Sequence, residues 1–131
     1  MQRARLSPMT PPERLADCGR RPNCVSSTAT DPKRRVGPWR LAAEPEVAWQ
    51  AVREIVAATP RTTIVEATDR YLHAEARSRL FGFVDDLELV LESDELAVRS
   101  ASRIGYSDRG VNRRRVEDLR RALAARGLVA P

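Results

Sequence analysis

The chain has 131 residues, 23 Lys or Arg against 18 Asp or Glu, a net charge of +5 and a pI near 10.2. That length fits one hydrophobic core with an appended segment, since two independent cores would leave each too small to hold without staples. The charge is uneven: residues 1–43 carry nine basic and three acidic residues, a balance of +6, whereas residues 44–131 carry fourteen and fifteen, a balance of −1. Any nucleic-acid affinity therefore belongs to the first segment and is nonspecific, because the remainder is nearly neutral and poor in aromatic stacking platforms.

In chain order, residues 1–43 hold six of the nine prolines and little periodicity, so they read as an N-terminal arm laid across the body. Within it, Arg35 to Leu41 is a candidate edge strand. No apolar run reaches the roughly 18 residues that span a bilayer, and the first residues lack a signal-peptide apolar segment, which places the chain, as written, in the cytoplasm as a soluble protein. Leu15-Ala16-Asp17-Cys18 is a poor lipoprotein box, with Asp before the Cys and polar residues upstream. Cys18 and Cys24 can close a disulfide in an oxidising compartment or stay as two thiols in a reducing one. With a single His in the chain, a four-ligand Cys/His zinc site cannot be assembled.

The body, residues 44–131, begins with EPEVAWQAVREIVAATP. Pro45 suits a helix's first turn, Ala48, Trp49, Val52, Ile55 and Val56 form one stripe, and Pro60 lies past the end, which predicts a helix over about 45–58. From about 62 to 104 the period changes to two, predicting four antiparallel strands around TTIVEA, RYLHAEARS, FVDDLELVLE and LAVRSASRI, with turns at Thr68-Asp69, near Gly82 and at Ser93-Asp94. A two-residue turn at Ser93-Asp94 sets Leu89 opposite Val98, Glu88 opposite Arg99 and Asp86 opposite Ala101. Alternation then sorts Leu87, Leu89, Leu91, Leu96 and Val98, with Leu72, Ala74 and Ala76, onto one face. The other face receives His73, Glu75, Arg77, Asp86, Glu88, Arg99 and Arg103. A second helix over about 109–126 follows, capped by Ser107 or Asp108, with Val116, Leu119 and Leu123 buried and Gly127 at its stop. Its arginines, mixed with Glu117 and Asp118, form a solvated side with ion pairs at helical spacing. The fold class is thus α+β, a four-stranded antiparallel sheet with two helices on one face.

RPNCVSSTA at 21–29, RTTIVEATDRYLHAEARSRLFGFVDDLELVL at 61–91 and RSASRIGYSDRGVNRRRVEDLR at 99–120 together resemble the bacterial and plastid domain-of-unknown-function family 1499, over about residues 18–126. The resemblance implies no particular activity. It implies an exported or membrane-associated location for many members, whereas this chain shows no apolar leader.

The residues offer limited chemistry. His73 beside a carboxylate could serve as an oriented base, but neither a nucleophile elbow nor GxGxxG nor GxxxxGK[ST] accompanies it. Asp85 falls on the opposite face from Asp86 and Glu88, which leaves too few carboxylates together for a metal site. No cofactor is implied. The candidate binding set is His73, Asp86, Glu88, Arg99 and Arg103 on the polar face, with Tyr106, Asp108 and Asn112 at its end. Arginine forks, hydroxyls and a helix start suit a small anion or a protein partner's carboxylate, so the expected function is a non-enzymatic binding module. The alternative is an enzyme of unknown reaction working from His73, Asp86, Glu88, Arg99 and Arg103.

Overall fold

A computed structural model describes residues 15–131, so residues 1–14 of the expected arm lie outside the described part. The architecture is α+β, and the sheet has six strands, not four. Strands β1 (Cys24–Ser26) and β2 (Trp39–Arg40) come first, then α1 (Pro45–Ala58), β3 (Thr62–Ala67), β4 (Tyr71–Arg77), β5 (Val84–Leu91), β6 (Glu95–Ser102) and α2 (Val111–Ala125). All strand pairings are antiparallel, in the order β1-β6-β5-β4-β3, with β2 also on β6. Residues expected to lie across the body as an arm thus complete its sheet: β1 pairs Cys24 with Ala101, and β2 pairs Trp39 with Leu96. β2 falls inside the candidate edge strand at Arg35 to Leu41, whereas β1, three residues long, gives no readable alternation.

The meander from β3 to β6 follows the period-two pattern. Its register sets Leu89 opposite Val98, Glu88 opposite Arg99 and Asp86 opposite Ala101, and the amide of Glu92 closes the Ser93-Asp94 turn on the Glu95 carbonyl at 2.9 Å. A bulge between Ile64 and Glu66 interrupts β3. Leu72, Ala74, Leu87, Leu89, Leu96 and Val98 form the core with Trp49, Val52 and Val56 of α1 and Val116, Leu119 and Leu123 of α2. Both helices thus cover the apolar face. At full burial each such Leu or Val side chain stabilises the fold by about 1.5–3 kcal/mol.

Helix α2 starts two residues later than the pattern suggests. Its N-cap is Gly110, in the left-handed conformation at φ 83° and without a side-chain cap bond. Asp108 still serves the first turn, its carboxylate accepting from the amides of Gly110 and Asn112 at 2.9 and 3.0 Å. Cys18 and Cys24 are disulfide-bonded, which ties the described start of the chain to β1. Among the described residues no helix is long and apolar enough to cross a membrane.

Candidate functional site

The face turned away from the helices carries two hydrogen-bonded chains of charge. In the first, His73 Nε2 lies 2.7 Å from Asp86 Oδ1, and Arg103 grips the same carboxylate with Nε and a terminal nitrogen, both at 2.8 Å. That terminal nitrogen also donates to Glu75 at 2.7 Å. In the second, the Tyr71 hydroxyl donates to one Glu88 oxygen at 2.6 Å and Arg99 reaches the other at 3.4 Å. Cross-strand register builds both chains, since His73 faces Glu88, Glu75 faces Asp86 and Glu88 faces Arg99. The His73 ring nevertheless bonds diagonally to Asp86, which leaves Glu88 to Tyr71.

The electrostatics follow from these contacts. The Arg103 hydrogen bonds, assisted by His73, hold the Asp86 carboxyl below the usual carboxylate range despite partial burial. Burial, then the hydrogen bond to Glu88 and its charge, push the Tyr71 hydroxyl up, so at neutral pH Tyr71 is a donor and not a nucleophile. Tyr71 also packs with Leu15, Val90 and Ala97 in a small second cluster. The segment entering the sheet therefore covers part of this face. Asp17 lies nearby, its carboxyl lowered chiefly by hydrogen bonds from Thr30, with a smaller contribution from the charge of Arg99.

Five of the candidate binding residues thus meet on one face: His73, Asp86, Glu88, Arg99 and Arg103. The other three do not join them. Asn112 is fully buried on the helix side, where its Oδ1 accepts from Ser100 Oγ at 2.6 Å and Arg115 at 2.8 Å. Its Nδ2 donates to the Asn23 carbonyl, Ser102 Oγ and Asp108 Oδ2 at 3.1, 3.0 and 2.7 Å. Asp108 belongs to the same network: burial opposes its ionisation, but the Asn112 and Gly110 donors outweigh that and lower its pKa. Arg115 closes the network on Asp85 at 2.9 Å. The motif stretch around Asn112 is therefore a structural fastening of α2 to β6. Tyr106 is exposed in the intervening loop, which Asn23 anchors by donating to the Gly105 carbonyl at 2.7 Å.

Two participants were absent from the candidate set although signals existed. Tyr71 is two residues before His73 and shares its face by alternation. Glu75, assigned to that face, proves to be the second anchor of Arg103. The two widest clefts among those described lie on the helix side. One of 620 Å³ separates α2 from the Val36–Arg40 segment, and one of 430 Å³ lies between the helices, with Ile55, Leu87 and Leu119 at its floor. No curated protein and no solved structure matches the chain. The sheet, its polar face and the β6–α2 fastening all fall within residues 14–123, which match one family model, and the chain belongs to that family, Protein of unknown function (DUF1499).

Proposed function

We propose that the domain is a non-enzymatic binding module whose polar sheet face receives a small anion or a partner's carboxylate at Arg99. The carrying observation is the unequal use of the two arginines. Arg103 spends Nε and one terminal nitrogen on Asp86 and Glu75. Arg99 makes one long contact to Glu88, and its Nε is withdrawn from solvent without a hydrogen-bond partner among the described residues. A buried donor left unmade costs about 1–3 kcal/mol; the Nε has no open path to an ion, but the side chain is 19% exposed, and terminal nitrogens engaged among the described residues only by one 3.4 Å contact suit an incoming carboxylate or phosphate oxygen. Arg103 belongs to the lattice that shapes the face.

The enzymatic alternative draws support from the 2.7 Å His73–Asp86 contact. Against it, Arg103 already neutralises Asp86, which weakens that carboxylate as the partner of a general base. The binding reading is tested by titrating the full chain with acetate and with inorganic phosphate while following the backbone amide resonances of Glu88, residue 99 and Ser100 by NMR. A saturable shift, abolished in Arg99→Met and weakened in Arg99→Lys, is expected. Amide resonances that stay still in both titrations would remove the reading.

A further inference from the structure

Eight large hydrophobic residues are exposed among the described residues, and five of them sit in two loops at one end of the sheet. Leu80, Phe81 and Phe83 occupy the β4–β5 turn, and Ile104 and Tyr106 the β6–α2 connection. Both loops leave the same end, because Arg77 pairs with Val84 and Asp85 with Ser102. The Arg103 amide then bonds the Val84 carbonyl at 3.1 Å. Leu80, Phe81 and Tyr106 are 84, 73 and 70% exposed. Turns are normally polar, and a contiguous exposed apolar patch marks a contact surface.

The turn is ordered. Ser78 accepts the Gly82 amide at 3.2 Å on its carbonyl and the Phe83 amide at 2.9 Å on its hydroxyl, and its own amide reaches the Phe83 carbonyl at 2.8 Å. Gly82 at φ 68° supplies the left-handed residue this requires. The rings of Phe81 and Phe83 stack with centroids 5.4 Å apart. An apolar tip is thus held in place outside the core. The charge around it is sorted as well. Glu75 and Asp86 are held by Arg103, Asp85 by Arg115, and Asp108 by the α2 amides. Arg79, which precedes Leu80, and Arg109, three residues after Tyr106 in the second loop, make no ion pair among the described residues.

We propose that this end of the sheet is a membrane-surface anchor: Leu80, Phe81 and Phe83, with Ile104 and Tyr106 beside them, enter the boundary between headgroups and acyl chains of an anionic bilayer, and Arg79 and Arg109 meet lipid phosphates. A projecting tip that mixes aromatic and aliphatic side chains, with a tyrosine hydroxyl and arginines around it, fits a boundary layer about 5–10 Å deep. Protein interfaces also enrich aromatic residues and Arg; what favours a bilayer here is that the apolar side chains sit on two loop tips and not on a broad face, with unpaired charge of one sign, Arg79 and Arg109, in the same two loops. The anchor uses residues separate from Arg99, so either assignment can fail alone.

The test uses the full chain with sucrose-loaded vesicles of phosphatidylcholine alone and of phosphatidylcholine mixed with phosphatidylserine. Sedimentation of the wild type with the mixed vesicles is expected, and Leu80→Ser/Phe81→Ser/Phe83→Ser, checked for native circular dichroism, should lose at least about tenfold in affinity. A Phe81→Trp variant, read against the buried Trp39 and Trp49, should shift to the blue on binding and be quenched by brominated lipid. Triple-serine binding equal to wild type would mean attraction by the basic arm alone and would overturn the anchor. So would an unquenched Trp at position 81, or a failure to sediment with the mixed vesicles, including one accompanied by crosslinking from position 81 to a protein.

Discussion

Replacing Asn112 by Ala tests whether the β6–α2 fastening holds the fold. The side chain is fully buried and makes five polar contacts of 2.6–3.1 Å. Two amide protons are shared among three acceptors, so about four bonds are effectively lost. At about 1 kcal/mol net each the ceiling is about 4 kcal/mol. The Asn23 carbonyl keeps the Ser102 amide and Asp108 keeps its two first-turn amides, which lowers the expectation to about 3 kcal/mol. Against a typical domain stability of about 5–15 kcal/mol, that is a large fraction. In urea denaturation followed by tryptophan fluorescence, a slope of about 1.5 kcal/mol per molar converts it to a midpoint about 2 M lower. Asn112→Asp sharpens the assay. It preserves shape but sets a second carboxylate where Asp108 Oδ2 now lies 2.7 Å from an amide donor. It should destabilise at least as much at neutral pH, with partial recovery in acid as one of the two carboxyls is protonated. A midpoint within about 0.5 M of wild type for Asn112→Ala, with unchanged slope, would refute the network's contribution.

Arg103→Ala should raise the Asp86 titration midpoint towards the ordinary range, since the Arg103 hydrogen bond is the main cause of its depression; NMR titration of the Asp86 carboxyl reads this directly, and an unmoved midpoint would contradict the lattice. With the folded pKa of Asp86 below its unfolded value, the associated stability is present above about pH 4 and is lost as pH falls through the folded pKa. The urea midpoint should therefore fall on acidification, and less steeply in Asp86→Asn. Reducing the Cys18–Cys24 disulfide, which closes a span of six residues, should cost about 2 kcal/mol by loop closure. Hydrogen exchange should then rise in residues 15–30 before it rises in the β4–β5 hairpin.

What was legible in the sequence depended on length and period. The strands β3 to β6 are six to eight residues long, enough for alternation to assign faces, and Ser93-Asp94 then set the register across the last hairpin. The polar face could be listed from that alone. Its bonding could not, because a diagonal His73–Asp86 contact depends on rotamers and sheet twist and not on which residues stand opposite. Asn112 was misplaced although its spacing of four, seven and eleven from Val116, Leu119 and Leu123 puts it on the buried stripe of α2. Its polarity argued for the surface, and five partners from β6, the helix start and the residue before β1 override that preference. Asp108 and Arg115 are helical neighbours of Asn112, but Ser100, Ser102 and above all Asn23 reach it only through the fold, so no local pattern announces the full set.

The split outer edge of β6 has a consequence for the molecule's behaviour at high concentration. An eight-residue strand with a free side is a template for pairing with another chain. Here β1 shields one part of it and β2 another, and the opposite terminal strand, β3, is broken by its bulge, a device that discourages strand addition. The guard on β6 is held partly by the link between Cys18 and Cys24. Redox conditions that open this link would loosen β1 and bare the half of β6 that carries Arg99, Ser100 and Ala101. Strand exchange between copies would then start at that strand, with the residues from Cys24 to Arg40 as the segment exchanged.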